Sequence, residues 1–280
     1  MNFGFYLWYN INGTIFRKRS FFMLDSHEKQ YHLTIEKGEI GKYCLLPGDP
    51  GRCEKIAAYL DSPYRLCGNR EYNIWCGGLE GELVTVCSTG IGGPSTAIAV
   101  EELYACGAHT FIRIGTCGGI ALPVRSGDVV IASGAVRQDG TSREYAPIEF
   151  PAVSSYSVLS ALADSARELG FDHHVGVVQS KDSFYGQHSP HRMPTYKELN
   201  FKWEAWKRLG VLASEMEAST LFTVAAALGA EAGAVFLSVW NQERAEAGLD
   251  NSENEVHDTD KAIRVAVEAT RKLIIRSAKK

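Results

Sequence analysis

Two arginines in this 280-residue chain stand where a charge needs a partner. Arg113 lies inside "FIRIGTCGGI" (111–120), an apolar run read as a buried strand that enters a glycine-rich bend carrying Thr116 and Cys117. A buried guanidinium is costly unless it is paired. Arg52 closes "LLPGDPGR" (45–52), a glycine turn before a helix, and so falls in a first turn where the macrodipole disfavours a cation. An anion beside that turn removes the conflict, because the helix start also offers backbone N–H donors. A second glycine turn, "CSTGIGGPST" (87–96), is neither GxGxxG nor a Walker loop, which weakens any dinucleotide reading. Three glycine turns and two arginines suit one oxyanion, since the planar donors of arginine bind two oxygens at once. The residues alone also admit a solvent-exposed Arg52 and an Arg113 paired with a core carboxylate.

"ASEMEAST" (213–220) brings Glu215 and Glu217 to the end of a short strand among apolar neighbours. Carboxylates there accept from paired sugar hydroxyls, cap the following helix through Glu217, or work together on a glycosidic bond. All three readings stay open at this level. "SKDSFYGQHSP" (180–190) adds Phe184, Tyr185 and Gln187, an aromatic face with a two-way amide suited to a planar heterocycle with a carbonyl beside an N–H. No Ser/His/Asp signature and no zinc-spaced His/Cys cluster occurs.

The elements that must hold these residues alternate. Strands are expected at "YCLLP", "HTFIRIGT", "GDVVIASGAV", "HVGVVQS" and "GAVFLSVWN", with a hairpin over "NIWCGGLEGELVTVCSTG" turning at "GLEGE". Helices are expected at "PGRCEKIAAYL", "PSTAIAVEELYACGA", "SVLSALADSARELG", "EMEASTLFTVAAALG" and "DTDKAIRVAVEATRKLIIRSA". This order predicts an α/β three-layer sandwich, a central mixed sheet flanked by helices, with long loops at "YGQHSPHRMPTYKE" and "NQERAEAGLDNSENEVHD". No linker or repeat divides residues 23–280, so one domain is expected.

Hydrophobic residues make up 45% and charged residues 22%, ordinary for a globular chain, and the net charge of −4 argues against a nucleic-acid surface. Seven cysteines without a disulfide framework point to a reducing compartment, the cytoplasm. Residues 1–22 are aromatic-rich, but their apolar stretch is too short to span a membrane and their "RKR" follows it, the reverse of a secretory signal. They are expected to be a disordered extension or a mis-assigned start ahead of Met23.

Jointly, "PGDPGR", "CSTGIGGPSTAIAVEEL", "RIGTCG", "FYGQ" and "EMEA" resemble the uridine phosphorylases of the type I nucleoside phosphorylase family, in order and spacing, from about Tyr31 to the last helix. The resemblance implies the nucleoside phosphorylase fold and reversible cleavage of uridine by inorganic phosphate to uracil and ribose 1-phosphate, without an organic cofactor. It implies a phosphate site of Gly48, Arg52, Arg113 and Thr116, the partner of Arg113 then being the substrate rather than a protein carboxylate. Arg70 and His32 would be lent to a neighbouring subunit, in a hexamer built as a trimer of dimers. Glu215, Met216 and Glu217 would hold ribose; Cys117, Phe184 and Gln187 would meet the base. Arg113, Gln187 and Glu217 are the residues expected to carry catalysis.

The chain departs from the family pattern in places. Ser189 stands where many members carry a uracil-binding arginine, so His188, His191 or Arg192 would have to replace it, and Arg192 is taken as the base contact. Cys117 stands where a second threonine is common. "SVWNQ" lacks the aspartate that purine-handling relatives use, which favours pyrimidines. Glu71, Ile91 and Ser95 match positions that hold a monovalent cation, potassium, between subunits in some members. The competing readings are a broader phosphorylase acting on deoxyuridine, thymidine or purine nucleosides, and a non-catalytic nucleoside-binding protein of the same fold.

Overall fold

The computed structural model describes residues 29–251 and 255–279, together with a two-residue antiparallel pair, β1 (Asn10–Ile11) and β2 (Thr14–Ile15). Apart from those four residues, the stretch expected to be an extension or a mis-assigned start lies outside the described residues.

The elements follow in the order β3 (Tyr43–Pro47), α1 (Arg52–Ala57), β4 (Asp61–Asn69), β5 (Tyr72–Leu79), β6 (Glu82–Cys87), α2 (Gly93–Ala105), β7 (Thr110–Gly119) and β8 (Val129–Gln138). Then come α3 (Thr141–Tyr145), β9 (Ala152–Val153), α4 (Tyr156–Glu168), β10 (His173–Lys181), α5 (Phe184–His188), a 3₁₀ turn (Pro190–Arg192) and α6 (Tyr196–Arg208). β11 (Ala213–Glu215), α7 (Ala218–Leu228), β12 (Glu231–Asn241), α8 (Gln242–Glu246) and α9 (Asp260–Ala278) complete the described chain.

One mixed sheet runs β11-β10-β8-β12-β7-β3-β6-β5-β4, with β9 on β8. Alternation along β7 shows how it makes three layers. Phe111 and Cys117 pack towards α2 and α7, while Ile112 and Ile114 pack towards α1, α4 and α9. Each fully buried Ile or Phe contributes about 1.5–3 kcal/mol, so both faces are held by apolar burial and only β7's odd positions reach the α2/α7 side. Arg113 is one of these.

Three features depart from the expectations. The bend after "FIRIG" does not form: β7 stays extended through Gly119, because β12 pairs with it along that length and β11 pairs antiparallel at Gly118 and Gly119. Since β11 also pairs with β10, five strands close into a ring. "YGQHSPHRMPTYKE" is no open loop but α5, the 3₁₀ turn and the start of α6. β4, α3, β9, α6 and α8 have no counterpart among the sequence expectations, and α8 occupies the start of the expected loop "NQERAEAGLDNSENEVHD". β4 is mostly exposed, and α6 buries no residue fully, so neither carries a strong apolar period. The hairpin turn falls at Glu80–Gly81, inside the expected segment, with positive φ at both residues. No described helix is long and apolar enough to cross a membrane.

Candidate active site

The first wall of the site is two turns stitched together. Thr89 N–H donates to the Pro47 carbonyl (2.9 Å) and Gly90 N–H to the Gly48 carbonyl (3.0 Å). A Cβ on Gly48 would stand 3.2 Å from the Gly90 carbonyl and 3.4 Å from Arg113 Nη2, so glycine keeps the space over the guanidinium open. Gly92 caps α2 at φ +91°, a conformation that favours glycine, and aims its N–H at Glu217 Oε1 (2.5 Å).

These turns border a cleft of about 1060 Å³. Gly48, Arg52, Glu71, Ile91, Ser95, Arg113, Thr116, Cys117, Phe184, Gln187, Glu215, Met216 and Glu217 all line it. His32, Arg70 and Arg192 do not line this chain's own cleft. Arg192 sits exposed on the 3₁₀ turn, so the expected base contact is not formed within this chain; His188, four residues earlier, lines the cleft instead. His32 Nδ1 faces the buried Glu102 at 2.6 Å, which leaves Nε2 for another partner. Arg70 is exposed in a two-residue hairpin turn at φ +54°. Such a conformation costs a side-chain-bearing residue about 1–2 kcal/mol.

Arg113 has protein partners, which corrects the expectation that the substrate alone would satisfy it. Its Nη2 pairs with Glu217 Oε2, its Nε lies 3.7 Å from Glu215 Oε2, and its Nη1 donates to Thr89 Oγ1 at 3.3 Å. The two carboxylates divide their work. Glu215, not Glu217, caps α7, accepting from the backbone N–H groups of Glu217 and Ala218, and it also accepts from Ser180 Oγ. Glu217 crosses to α2 and Arg113. With Glu215 occupied by the helix and strand, the pair is no glycosidase dyad. Burial, reinforced by the charge of Glu217, pushes the Glu215 carboxyl above its ordinary range.

Arg52 stands close enough to Arg113 for the two charges to oppose each other; burial first, and this repulsion with it, hold the Arg52 guanidinium below its usual pKa. Two converging guanidiniums under glycine turns form a cradle for a tetrahedral oxyanion. Cys117 lies buried between that cradle and the far end, and burial raises its pKa so far that it stays a thiol.

At the far end, sequence reasoning missed Lys181 and Ser214. Lys181 Nζ donates to Ser214 Oγ at 2.6 Å, and the Gln187 amide stands 2.6 Å from the same oxygen. Burial pushes the Lys181 ammonium down to about 8, against the pull of Glu215 and Glu217. The His188 ring packs against Phe184 at 4.3 Å between centroids, and desolvation with the Lys181 charge lowers its pKa. One signal was available: strand alternation puts Lys181 on the same face of β10 as Gln179, a buried polar pair at a strand end. The cleft thus has an anion end and a flat, amide-bearing end with a cation, joined by a carboxylate.

Comparison with known proteins gives a family model described as "Phosphorylase superfamily", matching residues 42–278. The chain is 52% identical to a uridine phosphorylase of Treponema pallidum over 249 residues, 89% of this chain and 96% of the relative. It is 42% identical to a uridine phosphorylase of Escherichia coli over 252 residues, 87% of this chain and 98% of the relative. A guanosine phosphorylase of Halorubrum lacusprofundi is 38% identical over 246 residues, 86% and 98% respectively.

Proposed function

The chain belongs to the Phosphorylase superfamily, and from that premise we propose that it catalyses the reversible phosphorolysis of uridine to uracil and ribose 1-phosphate. The observation that carries the reading is the single cleft that joins the Arg52/Arg113 cradle to the Gln187/Lys181 end through Glu217. Phosphate held at the arginines is nucleophile and counter-charge at once, placed below the anomeric carbon of an oxocarbenium-like ribose. Glu217 accepts from ribose hydroxyls while holding Arg113, so one carboxylate sets sugar and phosphate relative to each other. The leaving uracil gathers negative charge on its carbonyl oxygens and ring nitrogen, and the Lys181 ammonium beside Gln187 stabilises that charge as it develops. This lysine, with His188, fills the role left empty by Ser189. The reaction calls on no organic cofactor.

A panel of uridine, thymidine, cytidine, inosine and guanosine, with and without phosphate, tests the reading. Uridine is expected to be consumed only when phosphate is present. Turnover of inosine or guanosine with none of uridine would overturn the base assignment. The Halorubrum relative gives the broader-specificity reading its specific support, since guanine, like uracil, presents a ring N–H beside a carbonyl.

Three further parts of the proposal concern assembly and surroundings. His32 and Arg70 serve a neighbouring subunit's cleft, in a hexamer of three dimers. Arg113→Ala chains co-expressed with Arg70→Ala chains should recover activity above either alone, because a mixed dimer keeps one intact site; no recovery would exclude sharing. Glu71, the Ile91 carbonyl and the Ser95 hydroxyl are all hard oxygen donors; a Cβ on Gly90 would touch both Glu71 (2.9 Å) and Ser95 (3.4 Å). They suit potassium, and running the panel in potassium-free buffer, then restoring the ion, tests it. The seven unpaired cysteines fit a reducing compartment, the cytoplasm.

A further inference from the structure

The terminal amide of Gln187 has the same shape at both ends and opposite chemistry, one end accepting and the other donating. Which end faces the cleft decides which bases fit. The two ends are told apart by their hydrogen-bond network rather than by shape, and here the network is ordered from outside the cleft. Trp206 Nε1 on α6 can only donate, and it stands 3.2 Å from the Gln138 amide at the end of β8. The atom of Gln138 facing it is therefore Oε1. The same oxygen is 2.8 Å from the Gln179 amide on β10, which must turn Nε2 towards it. Gln179 Oε1 then faces Ser214 Oγ at 2.5 Å and takes the one proton that hydroxyl owns. Lys181 Nζ occupies one lone pair of Ser214 from 2.6 Å. The structure sets Gln187 Oε1 2.6 Å from Ser214 Oγ, but that hydroxyl has no proton left to give it, so the amide belongs the other way round and donates through Nε2. Its Oε1 is left for the cleft that Gln187 lines.

We propose that Trp206, Gln138 and Gln179 are positioning residues that hold Gln187 with its oxygen towards the base, so that the cleft takes a base presenting a ring N–H, such as uracil, and refuses one presenting a lone pair there, such as cytosine. The proposal rests on the reading that the cleft binds nucleosides. None of the three touches the base itself. Removing the tryptophan donor frees Gln138 to turn either end inward. The reversal then passes through Gln179 and Ser214, whose proton goes to Gln187 Oε1, and the amide presents its N–H₂ group to the cleft.

The test measures uracil and cytosine affinity by calorimetry, alongside uridine turnover. Trp206→Phe keeps the ring and loses the donor; Gln138→Leu loses the acceptor; Gln138→Glu accepts at both oxygens. The preference for uracil over cytosine is expected to fall about tenfold in Trp206→Phe and Gln138→Leu, the worth of one hydrogen bond. It is expected to stay at the parental value in Gln138→Glu. A packing role would weaken both bases together and leave the ratio unmoved. An unchanged ratio in both loss variants, or a parent that does not prefer uracil, overturns the relay. A parent that prefers uracil yet turns over no uridine overturns the catalytic reading and leaves the relay to be judged on the ratios.

Discussion

Arg113→Ala is expected to abolish phosphorolysis, with kcat/KM falling by at least about 10³-fold, and to destabilise the fold. The loss of rate follows from removing a preorganised charge at the phosphate, where single donors are worth about 10²–10³ on their own. The loss of stability follows from the pairing found here: Glu217 and Glu215 stay buried and lose their shared cation. Breaking a buried pair by deleting one partner costs about 3–5 kcal/mol. The pH dependence has a definite sign. Glu215 titrates above its ordinary value in the fold, so the folded protein holds a proton that the unfolded chain has lost, and stability falls as pH rises through that window. The variant, lacking the cation that opposes this shift, should show a steeper fall, measurable as urea midpoints between acid and neutral pH. Arg113→Ala combined with Glu217→Gln should regain part of the stability and none of the activity. Full activity in the single variant would refute the role of Arg113.

Lys181→Met is expected to lower kcat/KM for uridine by about 10²–10³-fold without lowering the melting temperature at neutral pH. The ammonium is buried and donates to Ser214 beside Gln187, which places it to stabilise charge on the leaving base of the proposed reaction. It does so while protonated, below its pKa of about 8. The parental rate should therefore fall on the alkaline side near that value, and this limb should vanish from the residual activity of the variant. A limb that persisted unchanged would assign it to another group. Stability runs the other way. A lysine depressed to about 8 binds fewer protons folded than unfolded between there and 10.5, so its contribution rises with pH across that window. Below it, the buried charge opposes folding, and methionine fills a similar volume without that cost. Activity and stability thus pull apart at this residue.

Much of this protein was legible in its residues. Short continuous apolar runs and helically spaced apolar residues predicted the main strands of the sheet and the helices on it, because burial on both faces of a central sheet leaves a strong local pattern. The elements that escaped, β4 and α6, are largely exposed and carry no such pattern. The glycine turns, the two arginines and "EMEA" marked residues that line the cleft, since each placed a charge or a flexible residue where local structure alone had no use for it.

What the sequence determined by itself is thus the α/β architecture and the inventory of charged, amide and aromatic groups that line the cleft. The tertiary structure decided how those groups share partners. It paired Arg113 with carboxylates more than 100 positions away in the chain, gave the cap of α7 to Glu215 and sent Glu217 to α2. It placed Lys181 in the cleft and Arg192 outside it. The reason is physical. Turn chemistry and hydrophobic period are local and can be read in order along the chain, whereas hydrogen-bond and charge pairing depend on which strand ends meet. Here that meeting is set by β11, which closes the ring between β7 and β10 with three residues.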